Sequence, residues 1–327
     1  MGFISFNEKY YKQQLLKFEN KSLSSKEIYE VKQVLKVLDD LEDEGYTKLN
    51  QHMENTFSCI SRLRTIIKKS GEKPFELSKN RLPETTYDNN EYELEALLED
   101  IKNIAKYQKI DPCNPFLDDI KGYCDWIGYD KDTAYIFLLR DALLPYLYYK
   151  SKERVNLYPW LISRKFLQKI THTKDIDDNI RLPIYEALER GYIDFKSYHS
   201  FCKEQILKVL EKHTKLKRVL IELLKSINTK NIIIVESGYC GTIPMMLSAL
   251  DNRISFKLYT TAPFLYDTYQ SNIYCKKYED VRLFETLYSH NLLLQYSSFN
   301  NGNFYVSKCN NSEVIRQSLV EIKYMIK

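Results

Sequence analysis

Residues 231–244 read Asn-Ile-Ile-Ile-Val-Glu-Ser-Gly-Tyr-Cys-Gly-Thr-Ile-Pro, and they hold the densest chemistry in the chain. An apolar run, Ile232 to Val235, ends in the carboxylate of Glu236 and enters a short loop with two glycines, Gly238 and Gly241. Thr242 follows, and a helix is expected to start near Pro244. Glycine lets the backbone turn its N–H groups toward a ligand. A helix start adds positive partial charge, so such a loop is an anion cradle. In this reading Gly238, Tyr239, Cys240 and Gly241 supply backbone donors, and Thr242 adds a hydroxyl. Ser237 is a substrate contact, and Glu236 faces a sugar hydroxyl or a magnesium ion. The segment is neither G-x-x-x-x-G-K-[ST] nor G-x-G-x-x-G. The same glycines also serve a plain strand-to-helix turn, so position between strand and helix carries the argument.

Two further segments place charge just after apolar runs. Phe137-Leu-Leu-Arg140-Asp141-Ala-Leu-Leu-Pro145 offers a guanidinium that can grip phosphate through two hydrogen bonds. Asp141 can orient it or hold a metal, and a local Arg–Asp ion pair is the structural alternative. Ser163-Arg164-Lys165 follows the run from Val155 to Ile162 and gives a second set of substrate contacts, Ser163 and Arg164, or a solvated basic turn. Cys240 at the strand-to-helix turn, with His290 as base, outlines a cysteine hydrolase. The second glycine of a nucleophile elbow is missing, however. His172, His199 and His213 show no metal-ligand spacing.

The elements that must position these residues change character along the chain. Ser24 and Glu27 make a capping box ahead of Ile28, Val31, Val34, Leu35, Leu38 and Leu41 on one helical face. Met53, Phe57, Ile60, Leu63 and Ile67 mark a second helix, and Leu94, Leu97, Leu98, Ile101 and Ile104 a third. Residues 1–110 are therefore expected to form an all-helical N-terminal region, offering a surface for oligomerisation or a protein partner. Residues 111–327 read as an α/β domain. Its expected strands are Thr133–Leu139, Val155–Ile162, Ile232–Val235 and Ile254–Thr260, with helices from Pro145 to Lys152 and over 180–228, where Asp194 is a helix cap. Strands alternating with helices imply a mainly parallel sheet with flanking helices. Ligands then sit beyond the carboxyl ends of the strands.

Together these loops resemble the type I phosphoribosyltransferase fold over roughly residues 130–300. In that family one loop after an early strand cradles pyrophosphate, and a later loop grips ribose 5-phosphate. Leu139-Arg140-Asp141-Ala142 stands where the first would, and Val235 to Thr242 where the second would. The resemblance implies a phosphorylated ribose or nucleotide as ligand, glycosyl transfer as reaction and magnesium as cofactor. Glu236 and Asp141 become the catalytic acids. Arg140, Gly238, Tyr239, Cys240, Gly241 and Thr242 bind phosphate. Two departures stand out: Ser237 replaces the second acid of the later loop, and that loop is a residue or two short. The missing acid favours an alternative, a non-catalytic nucleotide-binding regulatory or interaction protein. The series also looks like a segment of uncharacterised bacterial proteins, some with a haloacid-dehalogenase-like domain, but no Asp-x-Asp-x-Thr motif is present.

Composition sets the outer bounds. The 327 residues are 44% apolar and 28% charged with a net charge of +4, which leaves no global basic footprint for nucleic acid. Lys208, Lys212, Lys215, Lys217 and Arg218 form a basic stretch, read as a solvated face or, failing that, a nucleic-acid contact. Seven scattered cysteines point to reduced thiols and a cytoplasmic setting. No membrane-spanning run or signal peptide is read at sequence level.

Overall fold

A computed structural model describes residues 86–108, 116–190, 194–237, 241–259, 265–274 and 292–327. All belong to one compact unit, Leu82–Lys327. The helices expected around Ile28–Leu41 and Met53–Ile67, and the partner surface assigned to them, lie outside the described residues.

The central sheet is α/β in type: four parallel strands with helices packed on both faces. In chain order the elements are β1 (Tyr92–Glu93), α1 (Leu94–Ala105), α2 (Phe116–Ile127), β2 (Thr133–Leu138) and α3 (Leu143–Ser151). Then come β3 (Leu157–Trp160), α4 (Arg164–Thr171), α5 (Ile176–Glu189), α6 (Phe195–Lys212), α7 (Thr214–Lys225) and β4 (Asn231–Glu236). The chain continues through α8 (Thr242–Leu250), β5 (Ile254–Leu258), the single turn α9 (Tyr266–Tyr269), β6 (Leu294–Asn300), β7 (Asn303–Lys308) and α10 (Ser312–Ile326). The sheet order is β3-β2-β4-β5. All three pairings are parallel, with Phe137 opposite Val235 and Val235 opposite Lys257.

The sequence explains the centre of this sheet. Every residue of β2 is buried, as a strand covered on both faces requires, and its Thr-Ala-Tyr-Ile-Phe-Leu run has no polar interruption after the first position. On one face Phe137 meets Tyr146 and Tyr149 of α3, with ring centroids 5.6 and 5.3 Å away. On the other, Phe256 meets Phe195 of α6 at 5.7 Å and Tyr269 at 5.6 Å. Each such aromatic or aliphatic side chain, fully buried, stabilises the fold by roughly 1.5–3 kcal/mol.

The four expected strands are present, each end within two residues of its expected place. The span 180–228 is helical as expected, divided into α5, α6 and α7, and two other features differ from expectation. Asp194 does cap α6, accepting from Ser197 N at 2.8 Å. The chain breaks again at His213 between α6 and α7. The Lys208–Arg218 series straddles that break, so it makes no single basic stripe, and Lys208 pairs with Glu204. A second, antiparallel sheet, β1-β7-β6, was not anticipated. Its hairpin turns on Asn301 and Gly302, both at positive φ (51° and 85°), the conformation that Asn-Gly adopts readily. Finally, α1 leads directly out of β1, which pairs with β7, so this helix belongs to the unit that holds the sheet.

Candidate functional site

Strand order fixes where a ligand fits. From β2 the chain crosses to β3 on one side, and from β4 it crosses to β5 on the other. Right-handed crossovers then send α3 and α8 to opposite faces. The strand order therefore reverses between β2 and β4, a topological switch point, and the crevice at such a point is where open α/β sheets bind ligands. The segments that follow these two strands are 139–142 and 237–241, of which 238–240 lie outside the described residues. The structure thus brings Arg140 and Asp141 to the same sheet edge as Glu236 and Thr242, although about a hundred residues of sequence intervene.

The first loop is a tight turn. Leu139 N donates to Trp160 O (2.9 Å), Ala142 N to Leu138 O (3.1 Å) and Leu143 N to Arg140 O (3.1 Å). The Leu139–Arg140 peptide is cis. Arg140 is exposed and Asp141 half-buried at the tip. The alternative reading, a local Arg140–Asp141 ion pair, does not form, and neither side chain has a hydrogen bond or ion pair among the described residues.

The second loop starts from Glu236. Its Oε2 is enclosed and has no hydrogen-bond partner among the described residues. Burial first, and the nearby Asp141 charge second, raise this carboxyl to about 8 from an ordinary 4.5. Removing a carboxylate from water without a partner penalises the charged form, so Glu236 holds its proton at neutral pH. Ser237 is buried. Gly238, Tyr239 and Cys240 lie outside the described residues, as does His290, so the backbone-donor and cysteine-hydrolase readings have no described geometry. Gly241 precedes α8 in the left-handed conformation, φ 61°, and its carbonyl receives Met245 N at 2.9 Å. No side chain caps α8. Thr242, its first residue, is half-buried, and its hydroxyl makes no hydrogen bond among the described residues.

Gly241 also has a packing reason. A Cβ there would lie 3.3 Å from Tyr269 Cε2 and 3.5 Å from Leu258 Cδ1. Gly241→Ala should therefore destabilise the protein by about 1–2 kcal/mol, the usual cost of a left-handed residue with a side chain. Urea unfolding of the variant checks this, and an unchanged midpoint would contradict the assigned conformation.

Ser163 and Arg164 are occupied otherwise. The Ser163 hydroxyl caps α4, accepting from Phe166 N at 3.3 Å. Arg164 Nε pairs with the nearly buried Asp177 at 2.7 Å, and Arg181 approaches the same oxygen at 3.6 Å. These residues sit at the end of the edge strand β3 and tie α4 to α5, whereas the crevice lies between β2 and β4.

Tyr123, on α2, was not singled out from sequence. Its hydroxyl reaches Glu236 O (3.1 Å) and Lys257 O (2.6 Å), and its ring lies against Tyr259 and Tyr274. Nothing local in a chain with 27 tyrosines marks this one.

Cys124, Cys202 and Cys309 are free, buried thiols, all with acidity suppressed by burial. Among the described residues no three His, Cys, Asp or Glu side chains group as a metal site. No helix there is long and apolar enough to cross a membrane. No protein-family model, curated protein or solved structure matches this chain.

Proposed function

We propose that the crevice between β2 and β4 binds a phosphorylated ribose or nucleotide, and that the protein is a phosphoribosyltransferase-like enzyme acting by glycosyl transfer. The observation that carries this is that the strand order puts four groups at one topological switch point, none of them hydrogen-bonded or ion-paired among the described residues: the Arg140 guanidinium, the Asp141 and Glu236 carboxyl groups, and the Thr242 hydroxyl. Arg140 supplies a two-pronged grip on phosphate. Thr242 and the start of α8 supply donors to a second anionic group. Glu236 faces the ribose hydroxyls.

Magnesium fits this donor set. It is usually held by one or two carboxylates together with substrate phosphate oxygens and water, not by a complete protein cage. Glu236, with its orphaned Oε2, and Asp141 would hold it. When bound it neutralises the charge of a pyrophosphate leaving group. The residues of the chain do the rest: Arg140 orients phosphate, Asp141 and Glu236 fix the sugar, and the enclosed end of β4 keeps water from it.

Calorimetric titration with ribose 5-phosphate tests the binding step. Wild type should bind, and Arg140→Ala should weaken affinity by about ten- to a hundredfold, the range for losing a charge-assisted pair of hydrogen bonds. Equal affinity in the two proteins removes Arg140 from the site. The second reading, a regulatory nucleotide-binding protein, is favoured by one observation: the position of the second loop acid is Ser237, and it is buried.

A further inference from the structure

We infer that Tyr123 is a positioning residue for Glu236, acting through the main chain from helix α2; this rests on the ribose-phosphate reading of the crevice. Glu236 stands at a strand end held from one side. The β2–β4 ladder has its last pair at Phe137 and Val235, one residue short of Glu236, while the β4–β5 ladder continues to Glu236 opposite Leu258. The Glu236 carbonyl accepts Tyr259 N at 2.9 Å and the Tyr123 hydroxyl at 3.1 Å. That hydroxyl also reaches Lys257 O, at 2.6 Å, so one phenol spans the ends of two strands.

The clamp has work to do because of what it holds. An enclosed carboxyl group without a partner gains by turning out to water, and a loose strand end would let it. Helix α2 opposes that movement through a packed aromatic group. Tyr123 is 1% exposed. Its ring is edge-on to Tyr259 at 5.4 Å and tilted on Tyr274 at 5.8 Å. A Cβ at Gly122 would overlap the Tyr274 hydroxyl, so Tyr274 packs directly against this turn of the helix. One turn away, Lys257 Nζ lies 4.4 Å above the Trp126 ring and bonds Ser271 O at 3.1 Å. The helix therefore grips β5 by a side chain and both strands by a hydroxyl.

Tyr149 supplies a matched control. It too is buried, and its hydroxyl also bonds two main-chain carbonyls, Cys124 O (3.1 Å) and Gly128 O (2.5 Å), but these belong to α2 and the turn after it. Tyr123→Phe and Tyr149→Phe each keep the ring and remove the hydroxyl. Two readouts separate them: amide hydrogen exchange at Tyr259, whose N–H bonds the Glu236 carbonyl, and calorimetric affinity for ribose 5-phosphate. Tyr123→Phe should speed exchange at Tyr259 about tenfold beyond any global effect and weaken the ligand about tenfold. Tyr149→Phe should lower overall stability to a similar degree and change neither. Unchanged exchange at Tyr259, equal effects of the two variants, or faster exchange with undiminished affinity overturns the assignment. If wild type binds no ribose 5-phosphate, the ribose-phosphate reading fails, and the exchange comparison alone decides whether Tyr123 holds Glu236.

Discussion

The wild-type protein should lose stability as pH rises from about 5 to 8, and Glu236→Gln should remove that loss. The sign follows from the direction of the shift. In the unfolded chain this carboxyl titrates at its ordinary 4.5, and in the folded protein at about 8. Between those values the folded state binds more protons than the unfolded state, so raising pH favours unfolding. The contribution is fully present below 4.5 and gone above 8, with a slope of at most about 1.4 kcal/mol per pH unit from one group. His199 works in the opposite direction. Burial and then Lys203 lower it from 6.5, so it costs stability as pH falls below that value. Asp251, Glu313 and Glu91 are lowered by their partners and lose their contributions only in acid. Comparing wild type with Glu236→Gln at each pH cancels all of these. The amide keeps the shape of the neutral acid, so the two proteins should unfold at similar urea concentrations at pH 5. At pH 8.5 the variant should be the more stable. Parallel curves across the range would mean that Glu236 ionises freely, and the crevice would then lack its enclosed acid.

That acid shows where sequence reasoning stops. The run Ile232 to Val235 identifies a buried parallel strand, because polar residues cannot sit on either face. It also puts Glu236 at the strand end. Nothing in the run reveals that Oε2 is enclosed, since the enclosure depends on neighbouring strands and on residues remote in sequence. The same limit separates two loops that look alike on paper. Arg140-Asp141 and Ser163-Arg164 each place charge after an apolar strand. Only the order β3-β2-β4-β5 shows that the first pair flanks the switch point while the second ends an edge strand. Arg164 is then claimed by Asp177, brought to it by the packing of α4 on α5. The antiparallel sheet is a different case, because a local signal existed: Asn301-Gly302 between Phe299 and Phe304 is a strong hairpin pattern. The serines of Leu-Gln-Tyr-Ser-Ser-Phe-Asn blur the alternation that would have drawn attention to it, and a bulge between Tyr296 and Ser298 shifts its register. At His213 the reverse holds: α6 ends and α7 begins with no glycine or proline between them.

Catalysis, as opposed to binding, makes the largest demand on Glu236. In a transferase its carboxylate stabilises charge that develops at the sugar, so turnover requires a group that is neutral in the free protein at pH 7 to give up its proton. Two consequences follow. First, kcat/KM for pyrophosphate release should climb with pH along a limb centred near 8, because that profile reports the free enzyme's ionisations. Second, Glu236→Gln should abolish the limb and cut turnover by about a hundred- to thousandfold, the usual cost of losing one preorganised contact to the transition state. Affinity for ribose 5-phosphate should fall only about tenfold, the cost of its ground-state contact with the ribose hydroxyls, because the ground state presents no developing charge. Asp141→Asn refines the assignment: removing the second charge that raises Glu236 should move the limb to lower pH as well as slow the reaction. The assay measures pyrophosphate released from phosphoribosyl pyrophosphate across a panel of purines, pyrimidines and amines. A regulatory protein gives a different pattern, with the nucleotide held tightly and no pyrophosphate released by wild type with any acceptor. That pattern would leave the crevice as a binding site and remove the transferase. A limb near 8 that survives in Glu236→Gln would keep the transferase but assign its titrating group elsewhere.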